Sequence, residues 1–321
     1  MNPSVAKLID SVSFGSPQSY KNMTVIPLFH NNGDKLIYRT LSESIKAKEV
    51  EITEVSESGH VPELKVINHS DNLVLIIDGE QFIGAKQNRV INATVLLEKK
   101  TTTIINVACV EQGRWNYSKN KHFADSDNLM NYEIRAKRMA SVNMSLKVSN
   151  KFRADQSEVW EDVAAFSRKA KVVSNTMAMD EVYEKNEKAF EDYQKEFKTV
   201  ENQKGMIIII NGEIAGIEYL SNSESFSNVA EKLIKSYSST AHFDNKEYKE
   251  VDYVNQCKEF LNYIRYGYEN MYKSVGLGED YRYESKEGFA SALVHESEVV
   301  HFVGVRLPNE KEFSKTQRII I

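Results

Sequence analysis

The stretch Leu73-Val74-Leu75-Ile76-Ile77-Asp78-Gly79-Glu80-Gln81-Phe82-Ile83-Gly84 decides how the first part of this chain is read. Leu73 to Ile77 is apolar at every position, as in a strand covered on both faces. Asp78-Gly79 is a strong two-residue hairpin signal, with Glu80 to Ile83 as the returning strand. Upstream, Val25–Phe29, Val50–Val55 and Glu63–Ile67 are short runs rich in branched residues, separated by Gly-, Asn- and Ser-containing turn signals. Downstream, Val90–Leu97 and Thr103–Val110 continue the pattern. Many short strands joined by polar turns indicate a β-sandwich or a partly open barrel.

From about Ala124 the period becomes helical. Val159, Val163, Phe166 and Ala170 share one face of a helix starting near Asp155, and Phe190, Tyr193, Phe197 and Val200 do so on a second. Ile207–Ile210, Asn211-Gly212 and Glu213–Tyr219 form a hairpin with the preferred type I′ pair. Two helices follow, one carrying Phe226, Val229, Leu233 and Tyr237, the other Val254, Cys257, Leu261, Ile264, Tyr268 and Met271. Ser291–Val294 and Val299–Val305 close the chain as strands. The expected fold is α+β. A β-rich N-terminal half (1–120) is expected to pack as one unit with a helical and β-hairpin half (121–321).

Apolar residues make up 41 % of the 321-residue chain and charged residues 27 %, an ordinary globular composition. A formal charge of −5 argues against general nucleic-acid binding. Cys109 and Cys257 fit a reducing compartment and form no disulfide framework. No apolar run is long enough to span a membrane and no secretion signal is visible, so a cytoplasmic location is expected. Phosphate-loop, Rossmann, zincin and nucleophile-elbow motifs are absent, and the histidines are scattered without ligand spacing, so no metal is expected. No particular cofactor is indicated.

The chemistry concentrates in Gly79–Arg89 and Cys109–Trp115. Alternation puts Glu80 with Leu75 and Phe82, and Arg89 with Ile91 and Ala93, so both charges are pushed toward apolar faces. A guanidinium so placed needs an anionic partner. Two readings stay open. One is a buried ion-pair network joining Arg89 or Arg114 to Glu80 or Glu111. The other is a pocket in which Arg89 and Arg114 bind phosphate, Gln87 and Gln112 bind hydroxyls, and Trp115 stacks on a flat ring. In the pocket, Glu111 acts as base or charge stabiliser and Glu80 as its acid partner. Cys109 and His301 read as core residues. Arg135 and Arg138 either extend a phosphate surface or form a solvated basic face.

The runs Asp78-Gly79-Glu80-Gln81, Gly84-Ala85-Lys86-Gln87-Asn88-Arg89 and Cys109-Val110-Glu111-Gln112-Gly113-Arg114-Trp115 resemble the ARPP family, the ADP-ribosylglycohydrolase and rhodanese/phosphatase associated protein domain. The likeness continues through Asp155-Gln156, Asn211–Gly216, Ser236-Tyr237 and Glu279–Tyr283. It implies a setting among enzymes of ADP-ribose and phosphate metabolism, including bacterial conflict systems, and supplies no catalytic roles. The combined expectation is a metal-independent hydrolase of an N- or O-glycosidic bond at the anomeric carbon of an ADP-ribose-like nucleotide or ADP-ribosylated substrate. The alternative is a non-catalytic nucleotide sensor or interaction module. A small nucleotide is the expected partner, with a homo-oligomer left open.

Overall fold

A computed structural model describes residues 1–117, 122–244 and 252–306. The chain begins with α1 (Pro3–Ser11), β1 (Ser13–Phe14), β2 (Gln18–Tyr20), β3 (Met23–Phe29), β4 (Tyr38–Thr40) and α2 (Leu41–Lys46). Strands β5 (Val50–Glu54), β6 (Glu63–Asn68), β7 (Leu73–Ile76), β8 (Glu80–Gly84), β9 (Arg89–Ile91), β10 (Val95–Leu97), β11 (Thr102–Cys109) and β12 (Phe123–Leu129) follow. Then come α3 (Tyr132–Ser149), α4 (Gln156–Lys169), α5 (Asp180–Lys185), α6 (Glu187–Glu196), β13 (Gly205–Ile210) and β14 (Glu213–Leu220). The last elements are α7 (Ser223–Ala241), α8 (Tyr253–Arg265), β15 (Tyr268–Lys273), β16 (Glu279–Glu284), β17 (Gly288–His295) and β18 (Glu298–Arg306).

The fold is α+β. Six strands in the order β12-β8-β9-β11-β6-β5 curl into a half-barrel, whose edges meet at the bridge Thr53–His122. Its interior is filled by Ile52, Leu64, Val66, Phe82, Ile91, Ile105 and Val107. The larger sheet runs β1-β3-β13-β14-β18-β17-β16-β15, with β2 also on β3. Ile207 and Ile209 face α1 and α8, while Met206, Ile208 and Ile210 face α7. Both faces are covered, which is why Ile207–Ile210 reads as an unbroken apolar run. A small sheet, β10-β7-β4, lies between these layers, sending Leu75, Ile77 and Leu96 to the α7 core and Val74, Ile76, Val95 and Leu97 to the half-barrel core.

The Asp78-Gly79 turn forms, with Glu80 N donating to Ile77 O at 3.2 Å, but its flanking strands do not pair. β7 pairs with β10 and β4, whereas β8 pairs with β12 and β9. The backbone explains this. At Asn211-Gly212 both residues have positive φ (54° and 79°), as a type I′ hairpin requires, and β13 pairs with β14. At Asp78-Gly79 only Gly79 is positive (φ 90°), the type II pattern that splays its strands. The chain therefore changes sheets here, and again between β9 and β10, where one continuous strand was expected.

Three boundaries also move. Residues 123–129 are strand β12, and helix begins at Tyr132 on an Asn131 cap. The second helix stops at Glu196, leaving Val200 outside it. The stripe read through Tyr268 and Met271 ends at Arg265; those two residues lie exposed on β15, because Gly267 breaks the helix and Tyr268 pairs with Glu284.

Gly79 is fixed by its neighbour as well as by its φ. A Cβ there would come 2.9 Å from Arg135 Cδ, in a residue that is itself fully buried. Gly79→Ala is expected to destabilise the fold by about 1–3 kcal/mol, read as a lowered melting temperature.

Candidate functional site

Glu54 closes β5, Gly84 closes β8, Arg89 opens β9 and Glu111 follows β11, so all four lie at one end of the half-barrel. Cys109 to Glu111 is held there by α4. Gln156 accepts from Cys109 N at 2.8 Å and donates to Cys109 O at 2.9 Å, standing in for a strand partner. Gly113 N donates to Thr176 O at 2.8 Å and fixes the next turn.

Glu111 is 4 % exposed and tied up. It accepts from Arg114 Nε at 2.9 Å and Nη2 at 2.7 Å, a two-pronged pair, and from Asn88 N at 3.1 Å. Arg114 spends its other donors on Ala85 O, Asn116 O, Gly84 O and Asn88 Oδ1. Gln87 donates to the Glu111 carbonyl and accepts from Arg89 Nη1 at 2.8 Å. Gln112 is exposed and meets Gln87 through its own carbonyl, at 3.5 Å.

Arg89 is different. Its side chain is fully buried, yet Nε and Nη2 have no hydrogen-bond partner among the described residues. Glu54, with a side chain 3 % exposed, brings one oxygen to 4.0 Å from Arg89 Nη2, and neither of its oxygens accepts a hydrogen bond. Burial lowers the Arg89 pKa, with Cys109, Glu54 and Glu111 opposing that shift. The Trp115 ring covers the guanidinium at 5.4 Å and is itself 42 % exposed. Lys86 Nζ lies 5.5 Å from that ring and 5.0 Å from the Tyr117 ring, and donates to Ser58 O at 2.9 Å. Gly59 rests on this group, where a Cβ would come 3.2 Å from both Lys86 and Trp115. Burial pushes the Cys109 thiol up to about 11, against the pull of Arg89, so the thiol stays protonated and behaves as packing.

A family model described as the ARG and Rhodanese-Phosphatase-superfamily-associated Protein domain matches residues 11–305. The chain belongs to the ARPP-1 family. No curated protein and no solved structure matches it.

The second glutamate of this ARPP-1 chain lies elsewhere. Glu80 pairs across the sheet with Leu129, accepts from Ile77 N at 2.9 Å, and sits 3.8 Å from Lys232 Nζ on α7. Lys232 is committed to Asp125, at 2.8 Å from each oxygen, and to Ser42 Oγ at 2.8 Å. Burial pushes the Glu80 carboxyl up to about 8, with Lys232 opposing and Asp125 reinforcing the shift. Glu80 and Glu111 share no hydrogen-bond or ion-pair partner among the described residues. Gln87, Arg89, Arg114, Trp115 and Glu111 are brought together; Glu80 is not brought to them.

Arg135 and Arg138 form neither a phosphate surface nor a solvated face in the ARPP-1 fold. Both are buried, between the half-barrel and the large sheet. Arg138 Nη2 donates to Asp78 Oδ1, and Arg135 reaches Asp78 at 3.4 Å and Glu218 at 2.5 and 3.3 Å. Tyr237 donates to Glu218 at 2.8 Å, and His301 Nε2 lies 3.6 Å from it. His301 Nδ1 is 2.7 Å from Thr94 Oγ1, which also accepts from Asp78 N at 3.1 Å. Arg282 and Asp280 add a further buried pair at 2.5 and 2.9 Å. Burial raises the Asp78 and Glu218 carboxyls, but Arg138 and Arg135 outweigh it at Asp78, and Arg135 with His301 at Glu218, so both are held below the usual range. His301 is thus a hydrogen-bonded core histidine.

Glu54, Lys86 and Tyr117 complete the barrel-end group and were not singled out from the sequence as site residues. For Glu54 the signal was there: Val50, Ile52 and Glu54 alternate onto the buried face of β5. Among the described residues no cluster of His, Cys, Asp and Glu is arranged to hold a metal ion, and no helix is long and apolar enough to cross a membrane.

Proposed function

We propose that this ARPP-1 chain is a non-catalytic binding module for an ADP-ribose-like nucleotide, seated at the Arg89 end of the half-barrel. The observation that carries it is Arg89, fully buried with two guanidinium nitrogens, Nε and Nη2, lacking hydrogen-bond partners among the described residues, beneath a half-exposed tryptophan. Buried donors are nearly always paired, and leaving one unmade costs about 1–3 kcal/mol. A site meant only to lock strand register has no need of such donors, as the closed Glu111–Arg114 pair illustrates. The ARG association in the family's description supports this choice of ligand class.

The hydrolase reading needs two carboxylates flanking one bond. Glu80 sharing no partner with Glu111, and Glu111 being spent on Arg114, favour binding without turnover. Isothermal titration with ADP-ribose tests this. The wild type is expected to bind, and Trp115→Ala to bind roughly tenfold more weakly, the scale of one lost stacking contact. Chromatography of the same mixtures is expected to show ADP-ribose intact. Turnover abolished by Glu111→Gln would restore the hydrolase reading, and absence of binding would remove both.

A further inference from the structure

Arg89 and Glu54 together describe what the buried end of the site accepts. The two side chains lie side by side, 4.0 Å apart, outside hydrogen-bond length. Arg89 Nε and Nη2 and both Glu54 oxygens have no hydrogen-bond partner among the described residues. We infer that this end receives the edge of a planar ring carrying a hydrogen-bond acceptor beside an N–H donor, as in a primary carboxamide, the ring-nitrogen and amine edge of adenine, or the lactam and amine edge of guanine. The inference deepens the binding reading above and rests on it.

A phosphate is the wrong guest here. To reach Arg89 Nη2 it would stand beside the Glu54 carboxylate, and like charges at that separation in a buried setting repel strongly. An isolated ammonium meets the same objection from Arg89. A neutral edge satisfies both residues: its acceptor takes the arginine donors and its N–H groups reach Glu54. Arginine and carboxylate side chains read base edges by this pairing elsewhere in protein chemistry. Trp115, 5.4 Å from the guanidinium, offers the face on which such a ring stacks. Anionic groups of the ligand then fall outside, toward the Lys86 ammonium beside Trp115. This reverses the sequence expectation that Arg89 itself takes phosphate, and Glu54 is the residue that reverses it.

Matched ligand pairs test the inference by titration: nicotinamide against nicotinate, NAD against nicotinic acid adenine dinucleotide, and AMP against purine riboside 5′-monophosphate, which lacks the amine donor. At least one edge-bearing member is expected to bind roughly tenfold or more tightly than its mate. If the nicotinamide pair discriminates, Glu54→Gln is expected to abolish the preference and improve nicotinate binding, since the repelling charge is gone. If the AMP pair discriminates, Glu54→Gln is expected to weaken AMP alone. Far-ultraviolet circular dichroism and the melting temperature confirm that the variant is folded. Ligands that bind with equal strength within every pair, unaffected by Glu54→Gln, overturn the inference while leaving the nucleotide reading standing. Binding of nicotinamide without binding of ADP-ribose does the reverse. No binding of any probe overturns both and leaves Arg89 and Glu54 paired through water only.

Discussion

Glu218→Ala is expected to lower the stability of the fold by about 3–5 kcal/mol, the scale for removing one partner of a buried ion pair. Glu218 is fully buried and serves Arg135, Tyr237 and His301 at once. Removing it leaves the Arg135 guanidinium with Asp78, which Arg138 already occupies. The network ties Asp78 and Thr94 of the barrel side to α3, α7 and strands β14 and β18, so its loss is expected to loosen the packing between layers. Urea unfolding followed by circular dichroism measures the change. Should the alanine variant fail to accumulate, Tyr237→Phe removes a single hydrogen bond to the same carboxylate and is expected to cost about 1–3 kcal/mol. Changes below about 0.5 kcal/mol in both would show that the layers are held by apolar packing alone.

The second large effect is a pH dependence traced to Glu80. Its carboxyl is raised from 4.5 to about 8 by burial, so the folded state holds a proton that the unfolded state releases between those values. Stability from this group is therefore fully present below about pH 4.5 and is lost as pH rises toward 8, by a total on the order of a few kcal/mol. Asp78 and Glu218 act in the opposite sense: their lowered values contribute stability above the unfolded carboxylate range, lost as pH falls. The difference between wild type and Glu80→Gln isolates the first effect. Glutamine mimics the protonated acid and can still accept from Ile77 N. Unfolding free energies are expected to converge near pH 5 and diverge by pH 8, with the variant the more stable. Parallel profiles would show that Lys232 keeps Glu80 ionised throughout.

Element identity was legible in the sequence wherever period and turn chemistry agreed. Asn211-Gly212 gave a true hairpin because both residues reach positive φ. Asp78-Gly79 misled because the same signal fits a type II turn, and only Gly79 crosses to positive φ. Which sheet a strand joins depends on contacts far along the chain, so the passages β7 to β8 and β9 to β10 could not be read locally. Tyr268 and Met271 continued a helical spacing that Gly267 ends, and spacing carries no mark of that break.

The polar cluster was half legible. Alternation correctly marked Arg89 and Glu80 as charges on apolar faces, and both are buried. It could not say which opposite charge each would meet. Arg89 meets Glu54, thirty-five positions upstream on β5, and Glu80 meets Lys232 on α7. Arg135 and Arg138 looked like surface residues because their helix is mixed in composition, but they lie on the buried face of α3, and Glu133 and Lys137 carry its partly solvated face.

The most direct test of the barrel-end site is a crystal structure grown with millimolar NAD, inspected at Arg89, Glu54 and Trp115. The expected result is a ring stacked against Trp115, with Arg89 Nε or Nη2 and a Glu54 oxygen within hydrogen-bond distance of its edge. Ordered waters alone on those four atoms, with Trp115 still lying on the guanidinium at high ligand occupancy elsewhere, would contradict it.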